Sequence, residues 1–198
     1  MTRVYFVRHA QPEHDWEEDR TRPLTEEGKK DSAIVLEFLK DKKIDAFYCS
    51  PYKRSMDTIA EAADFFTKEI ITDERLRERE KGLDGNNHGM FRKRWADHNY
   101  HEEGGESIAM VQKRNIEALN EILSDNTDKD IVIGTHGTAL STILNFYDNN
   151  FGCEDFLRII DWMPYIIELD FESSCNELEF ECPSYSFKLI GKQEHCYI

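Results

Sequence analysis

Short apolar runs alternate with stretches of helical period up to about residue 147, and few architectures accommodate that alternation. Val4-Tyr5-Phe6-Val7, Phe47-Tyr48-Cys49 and Ile131-Val132-Ile133 are uncharged and rich in β-branched and aromatic residues. Continuous runs of this kind read as strands covered on both faces. Between them, residues 26–42 predict a helix with Thr25 as N-cap and Ile34, Val35, Phe38 and Leu39 on its buried side. Ser50-Pro51 predicts an N-cap followed by a first-turn proline, opening a helix to about Phe66 with Met56, Ile59, Ala60 and Ala63 as its apolar stripe. A short edge strand is expected at 69–72. Ser107 is placed to cap a helix reaching about 123 through Ile108, Val111, Leu119 and Ile122, and another helix is expected from Thr138 to Tyr147. The part from 164 to 190 reads as β structure, with Ile166–Phe171 and Leu178–Phe180 as strands. The expected fold is α/β: a single domain over 1–198, with a mostly parallel central sheet flanked by helices on both faces.

Each of the three apolar runs ends in a polar cluster. Val7 leads into Arg8-His9, Cys49 into Ser50-Pro51 and Arg54, and Ile133 into Gly134-Thr135-His136-Gly137. Ligands of open α/β sheets bind outside the carboxyl ends of the strands, so two histidines and two arginines are expected to converge in one crevice. Histidine can take a phosphoryl group on a neutral ring nitrogen, and arginine grips phosphoryl oxygens bidentately. Arg54 falls in the first turn of its helix beside Lys53, where cations oppose the macrodipole; a bound anion resolves that conflict. Gly134 and Gly137 flank His136 with permissive backbone, and His136 could donate to a phosphoryl oxygen. Taken singly, each of these residues has a bland reading as a strand-end or helix-end side chain. Glu78 has one as well, among Glu74, Arg75, Arg77, Arg79 and Glu80.

Charge limits the partners. Twenty-five basic residues against 40 acidic ones give a net charge of −15, which speaks against nucleic acid. No apolar run has the length of a membrane span, and the chain opens in a strand-like run without a signal-peptide core. Five scattered cysteines, at 49, 153, 175, 182 and 196, read as reduced thiols in a cytoplasmic protein. A monomer or homodimer is expected. His98 and His101 lack further ligands at metal-site spacing, so no metal and no cofactor are expected.

Together the motifs FVRHA (6–10), SPYKRSMDT (50–58), LRERE (76–80), GGES (104–107) and GTHG (134–137) resemble the histidine phosphatase superfamily, also called phosphoglycerate mutase-like, in order and over residues 3 to about 145. The resemblance implies a phosphatase acting on phosphomonoesters of small metabolites. His9 would be the nucleophile, Arg8, Arg54 and His136 the lining of the phosphate pocket, and Glu78 the acid that protonates the leaving group. Gly137 joins the substrate-binding set. The chain departs from the family pattern at Ala10, where glycine is usual, and in 11–16, where Gln11 or His14 would replace an asparagine ligand. Arg94, in the basic-aromatic cluster Arg92–Trp95, is a candidate contact for a substrate's carboxylate or second phosphate. Residues 80–105 are expected to cover the pocket. The alternatives are a cofactor-dependent phosphoglycerate mutase and a non-catalytic phosphate-binding module.

Overall fold

A computed structural model describes residues 1–83, 87–173 and 180–191. Six strands form one sheet in the order β3-β2-β4-β1-β5-β6. They are β1 (Thr2–Arg8), β2 (Ala46–Cys49), β3 (Ile70–Thr72), β4 (Asp130–Thr135), β5 (Tyr165–Ser173) and β6 (Phe180–Gly191). β1 to β4 run parallel, whereas β5 and β6 are antiparallel at one end. Leu178 and Cys175 lie outside the described residues, so the expected strand Leu178–Phe180 is represented only from Phe180 onward.

The pleat of β1 divides the core. Val4 and Phe6 join Leu119 and Ile122 of α5 (Ile108–Asp125), Leu140 and Ile143 of α6 (Gly137–Tyr147), and Phe156 of α7 (Cys153–Ile159). Tyr5 and Val7 point the other way, onto Val35 and Leu39 of α2 (Ala33–Leu39) and Ile59 of α3 (Lys53–Phe65). A strand buried on both faces has no polar side to show, which is why these runs are continuous in the sequence.

Two helix boundaries differ from expectation. The stretch expected as one helix over 26–42 is two: α1 (Glu26–Asp31), capped by the Thr25 hydroxyl on Gly28 N–H, and α2. They part at Ser32, whose hydroxyl donates back to the Lys29 carbonyl at 2.7 Å, a local competitor of the helical ladder. α3 starts at Lys53 rather than after Ser50, because Tyr52 is extended and serves as its N-cap. Ser50 is thereby left to another partner. The expected cap of α5 is present, Ser107 Oγ accepting from Met110 N–H at 3.2 Å. The segment read as irregular over 80–105 contains a short helix, α4 (Phe91–Ala96).

Candidate active site

Sheet order makes the site. β2, β4 and β1 are neighbours and end level with one another. Backbone bonds tie their exits: His9 N–H donates to the Thr135 carbonyl at 3.2 Å, and Ser50 N–H to the Gly134 carbonyl at 3.0 Å. Arg8-His9, Ser50–Arg54 and His136-Gly137 therefore meet at one edge.

His9 is buried, and its Nδ1 sits 2.8 Å from the Ala10 carbonyl. A carbonyl only accepts, so the proton is on Nδ1 and the lone pair on Nε2. Nε2 in turn faces Arg54, whose Nε–H lies 3.2 Å away. Burial first, then the cations of Arg54 and Arg8, hold the imidazolium well below its usual range, so the ring is neutral and nucleophilic. Ala10 is fully buried, with its N–H on Thr58 Oγ1 at 2.9 Å.

His136 packs edge-on against the rings of His9 and Tyr52, with centroids 5.2 Å apart in each case. Its Nε2 is 2.7 Å from Ser50 Oγ, the contact that the late start of α3 releases. Its Nδ1 is buried without a hydrogen-bond partner among the described residues. Burial, followed by Arg54 and His9, also depresses its basicity.

The two arginines are held differently. Arg8 donates through Nη1 to the carbonyls of Ile159 (2.9 Å), the last residue of α7, and of Trp162 (3.1 Å) just beyond it. Gly137 admits its guanidinium: a Cβ there would lie 3.2 Å from Cζ. Arg54 lies over the Tyr52 ring and reaches Asp19, through the main-chain carbonyl at 2.7 Å and the carboxylate at 3.3 Å. The anion that the helix N-terminus calls for is thus supplied in part by the chain itself. Burial weakens both cations, a cost that an adjoining phosphoryl group would offset.

Glu78 is half-buried rather than an exposed member of a charge cluster. Its carboxylate accepts from Arg79 N–H (2.8 Å) and from Thr138 and Ala139 N–H (3.1 and 3.2 Å), the free amides at the start of α6. Arg114 of α5 holds the segment before it, donating to the carbonyls of Arg75, Arg77 and Glu78 while pairing with Glu106 at 2.8 Å.

His9, Arg8, Arg54 and Glu78 open on a cleft of two adjoining lobes, about 420 and 380 Å³, whereas His136 is fully buried behind them and lines neither lobe. His9 and Arg54 line the first, Gly137 and Thr138 the second, and Arg8 and Glu78 line both. Phe91, Leu157, Ile160 and Met163 supply apolar wall. His14 lines both lobes. Gln11 does not line the cleft: its side chain accepts from Thr25 Oγ1 at 3.1 Å, at the mouth of α1. Arg94 does not either. One turn of α4 sends the basic-aromatic cluster in four directions: Arg92 to Glu154 on the surface, Lys93 over the Tyr100 ring, Arg94 inward to Glu102 at 2.5 Å, and Trp95 into the core against Phe156. His98 packs against Trp95, and His101 Nδ1 lies 3.0 Å from the Glu102 carbonyl. Sequence reasoning missed Asp19, Arg22, Lys81 and the partnership of Ser50 with His136. Only Ser50 carried a signal, and that signal was read as a cap.

A neutral buried imidazole between two arginines, at the carboxyl edge of a parallel sheet, defines a protein built to receive a phosphoryl group. The chain belongs to the histidine phosphatase superfamily (branch 1), which it matches over residues 4–160. Among curated proteins it is similar to phosphoserine phosphatase 1 of Hydrogenobacter thermophilus, 29% identical over 154 residues, or 69% of this chain and 71% of that one. Among solved structures it is similar to phosphoserine phosphatase from Entamoeba histolytica in complex with 3-phosphoglyceric acid. That match has a TM-score of 0.74 and 21% identity, covering 93% and 96% of the two chains. Mycobacterial glucosyl-3-phosphoglycerate phosphatase is also similar, with a TM-score of 0.74 and 16% identity over 92% and 98% of the two chains. At these identities, the structural likenesses speak for the fold. Among the described residues no helix is long and apolar enough to cross a membrane.

Proposed function

We propose that the protein hydrolyses phosphomonoesters of small metabolites through a phosphohistidine at His9. The observation that carries this reading is the bond from His9 Nδ1 to the Ala10 carbonyl, which leaves a neutral Nε2 aimed at Arg54. In the first step Nε2 attacks phosphorus and the ester P–O bond breaks. The electron pair stays on the leaving oxygen, which takes the proton of Glu78 and departs as an alcohol. In the second step Glu78 recovers a proton from water as that water attacks phosphorus. The N–P bond breaks, inorganic phosphate leaves and His9 is regenerated neutral. Arg8, Arg54 and His136 stabilise the equatorial oxygens. Such transfer depends mostly on positioning and on charge held in place. Glu78 holds the amides of α6 before substrate arrives, and it lines both lobes of the cleft.

A panel of phosphorylated metabolites, assayed in EDTA with release of inorganic phosphate as the readout, tests the activity. Phosphate release in the presence of chelator is expected. Rapid quench with ³²P-labelled substrate should trap an acid-labile, base-stable adduct that is absent in His9→Ala. Isomerisation of the ester without phosphate release would indicate a mutase, and absence of an adduct in the active protein would exclude the phosphohistidine route.

A further inference from the structure

We propose that the Asp19 carboxylate competes with the phosphoryl group for Arg54, so that Asp19 sets how tightly the cleft holds substrate and product phosphate. This rests on the phosphomonoesterase reading above for the place of the phosphoryl group, and it names what that group has to displace.

Every nitrogen of the Arg54 guanidinium is engaged by the chain. Nε–H points to His9 Nε2 at 3.2 Å. Nη1 donates to the Asp19 main-chain carbonyl at 2.7 Å and to its carboxylate at 3.3 Å, and Nη2 reaches the second carboxylate oxygen at 3.5 Å. A lone pair that accepts a hydrogen bond from Arg54 is not free to attack phosphorus. The Arg54 fork has to turn from His9 Nε2 to the phosphoryl oxygens before the N–P bond forms, and Asp19 holds that fork. A phosphoryl group placed between His9 and Arg54 also comes beside the Asp19 carboxylate, which lines the same lobe. Two anions there repel each other and contend for one buried guanidinium.

The loop that carries Asp19 is fixed by bonds other than those of its carboxylate. Glu18 accepts from the N–H groups of Arg20 and Thr21, at 3.0 and 2.8 Å. The Arg20 carbonyl accepts from Lys53 N–H at 2.9 Å, which ties the loop to the start of α3, and the Arg20 guanidinium lies over the Tyr52 ring. The Asp19 side chain is 31% exposed and also pairs with Arg22, at 3.1 Å. Rotation of that side chain can therefore move its carboxylate off Arg54 and onto Arg22 alone, while the main-chain carbonyl keeps Nη1. The two contacts of Asp19 have different effects. The carbonyl, at the shorter distance, places Arg54. The carboxylate, farther off and partly exposed, occupies it. Loss of the carboxylate alone leaves Arg54 in position and open to an anion with more oxygens.

Calorimetric titration of inorganic phosphate into wild type, Asp19→Asn, Asp19→Ala and Asp19→Glu, at one ionic strength, tests the competition. The two neutral variants are expected to bind phosphate about 10-fold more tightly than wild type, the range of one charge-assisted contact. The KM for p-nitrophenyl phosphate should fall in parallel. Asp19→Glu keeps the anion and is expected to stay close to wild type. If the carboxylate only positioned Arg54, the neutral variants would bind phosphate more weakly, so the sign of the change separates the two roles. The alanine variant serves should the asparagine one fail to fold. Equal or weaker binding in a neutral variant with an unaltered urea midpoint overturns the competition. So does equal tightening in Asp19→Glu, or absence of phosphate binding in all four proteins. Titration needs no turnover, so the two readings fail separately. If esters are hydrolysed but phosphate affinity is the same in all four, the competition is wrong and the hydrolysis reading stands. If no ester is hydrolysed while the neutral variants bind phosphate more tightly, the competition stands and the hydrolysis reading falls.

Discussion

At the scale of single residues, the site depends on bonds that leave each group only one function. The Ala10 carbonyl fixes the tautomer of His9, and Ser50 fixes the ring of His136. Glu78 is the residue whose proposed role separates mechanism from fold. An alkoxide needs a proton to leave, whereas a nitrophenolate is stable as an anion. Glu78→Gln is therefore expected to cut turnover of alkyl phosphates by about 10²-fold or more, the usual range for a general acid, with a much smaller loss on p-nitrophenyl phosphate. Stopped assays on the two substrates decide it. Equal losses would assign Glu78 a structural part, as partner of the Thr138 and Ala139 amides.

At the scale of elements, helix ends bring the candidate groups together. The start of α6 receives Glu78, and the start of α3 presents Arg54 to His9 and Asp19. Neither contact is local in sequence, and each joins loops from different strands. Arg114 illustrates the dependence best. From the middle of α5 it donates to the carbonyls of Arg75, in a single 3-10 turn, and of Arg77 and Glu78, which lie outside any strand or helix. Arg114→Met would leave these carbonyls without that donor, while the Glu106 carboxylate would keep Arg77 and the Glu80 N–H. A loss of about 2–3 kcal/mol in stability is expected, the range for hydrogen bonds from a charged donor that are removed from one side only. Urea unfolding should show a lower midpoint at unaltered slope. A variant as stable as wild type would mean that this segment is held by other contacts.

At the scale of the whole molecule, two neutral histidines are buried together, which links folding to pH. Burial and the neighbouring arginines lower both His9 and His136 well below the ordinary value of 6.5. The unfolded chain then binds more protons than the folded one in the window below about pH 6.5, so stability rises with pH across that window. Expected is a fall in unfolding free energy as pH drops from about 6.5 toward the lowered values, and a shallower fall for His136→Gln, measured by urea titration at successive pH values. An identical pH slope in that variant would show that His136 does not contribute. The sequence by itself determined the elements and their faces. Val4–Val7 and Ile131–Ile133 had to be buried on both sides, and the polar exits after them had to lie at one edge, because parallel strands of one sheet all have their carboxyl ends on the same side. The order of motifs likewise determined the family. Only the tertiary structure decided which charges meet. Arg54 and Asp19 are 35 residues apart, and Glu78 and Thr138 are 60 apart. Arg94, basic and near the site in sequence, turned inward to Glu102 because α4 has to bury Trp95 beside it. Lys81 lines the cleft from a backbone bridged to Gly105, 24 residues on, and Arg22 lines it while pairing with Asp19. No propensity or spacing records a contact made by loop ends brought together through a sheet, so these charges could be read only once the chain was folded.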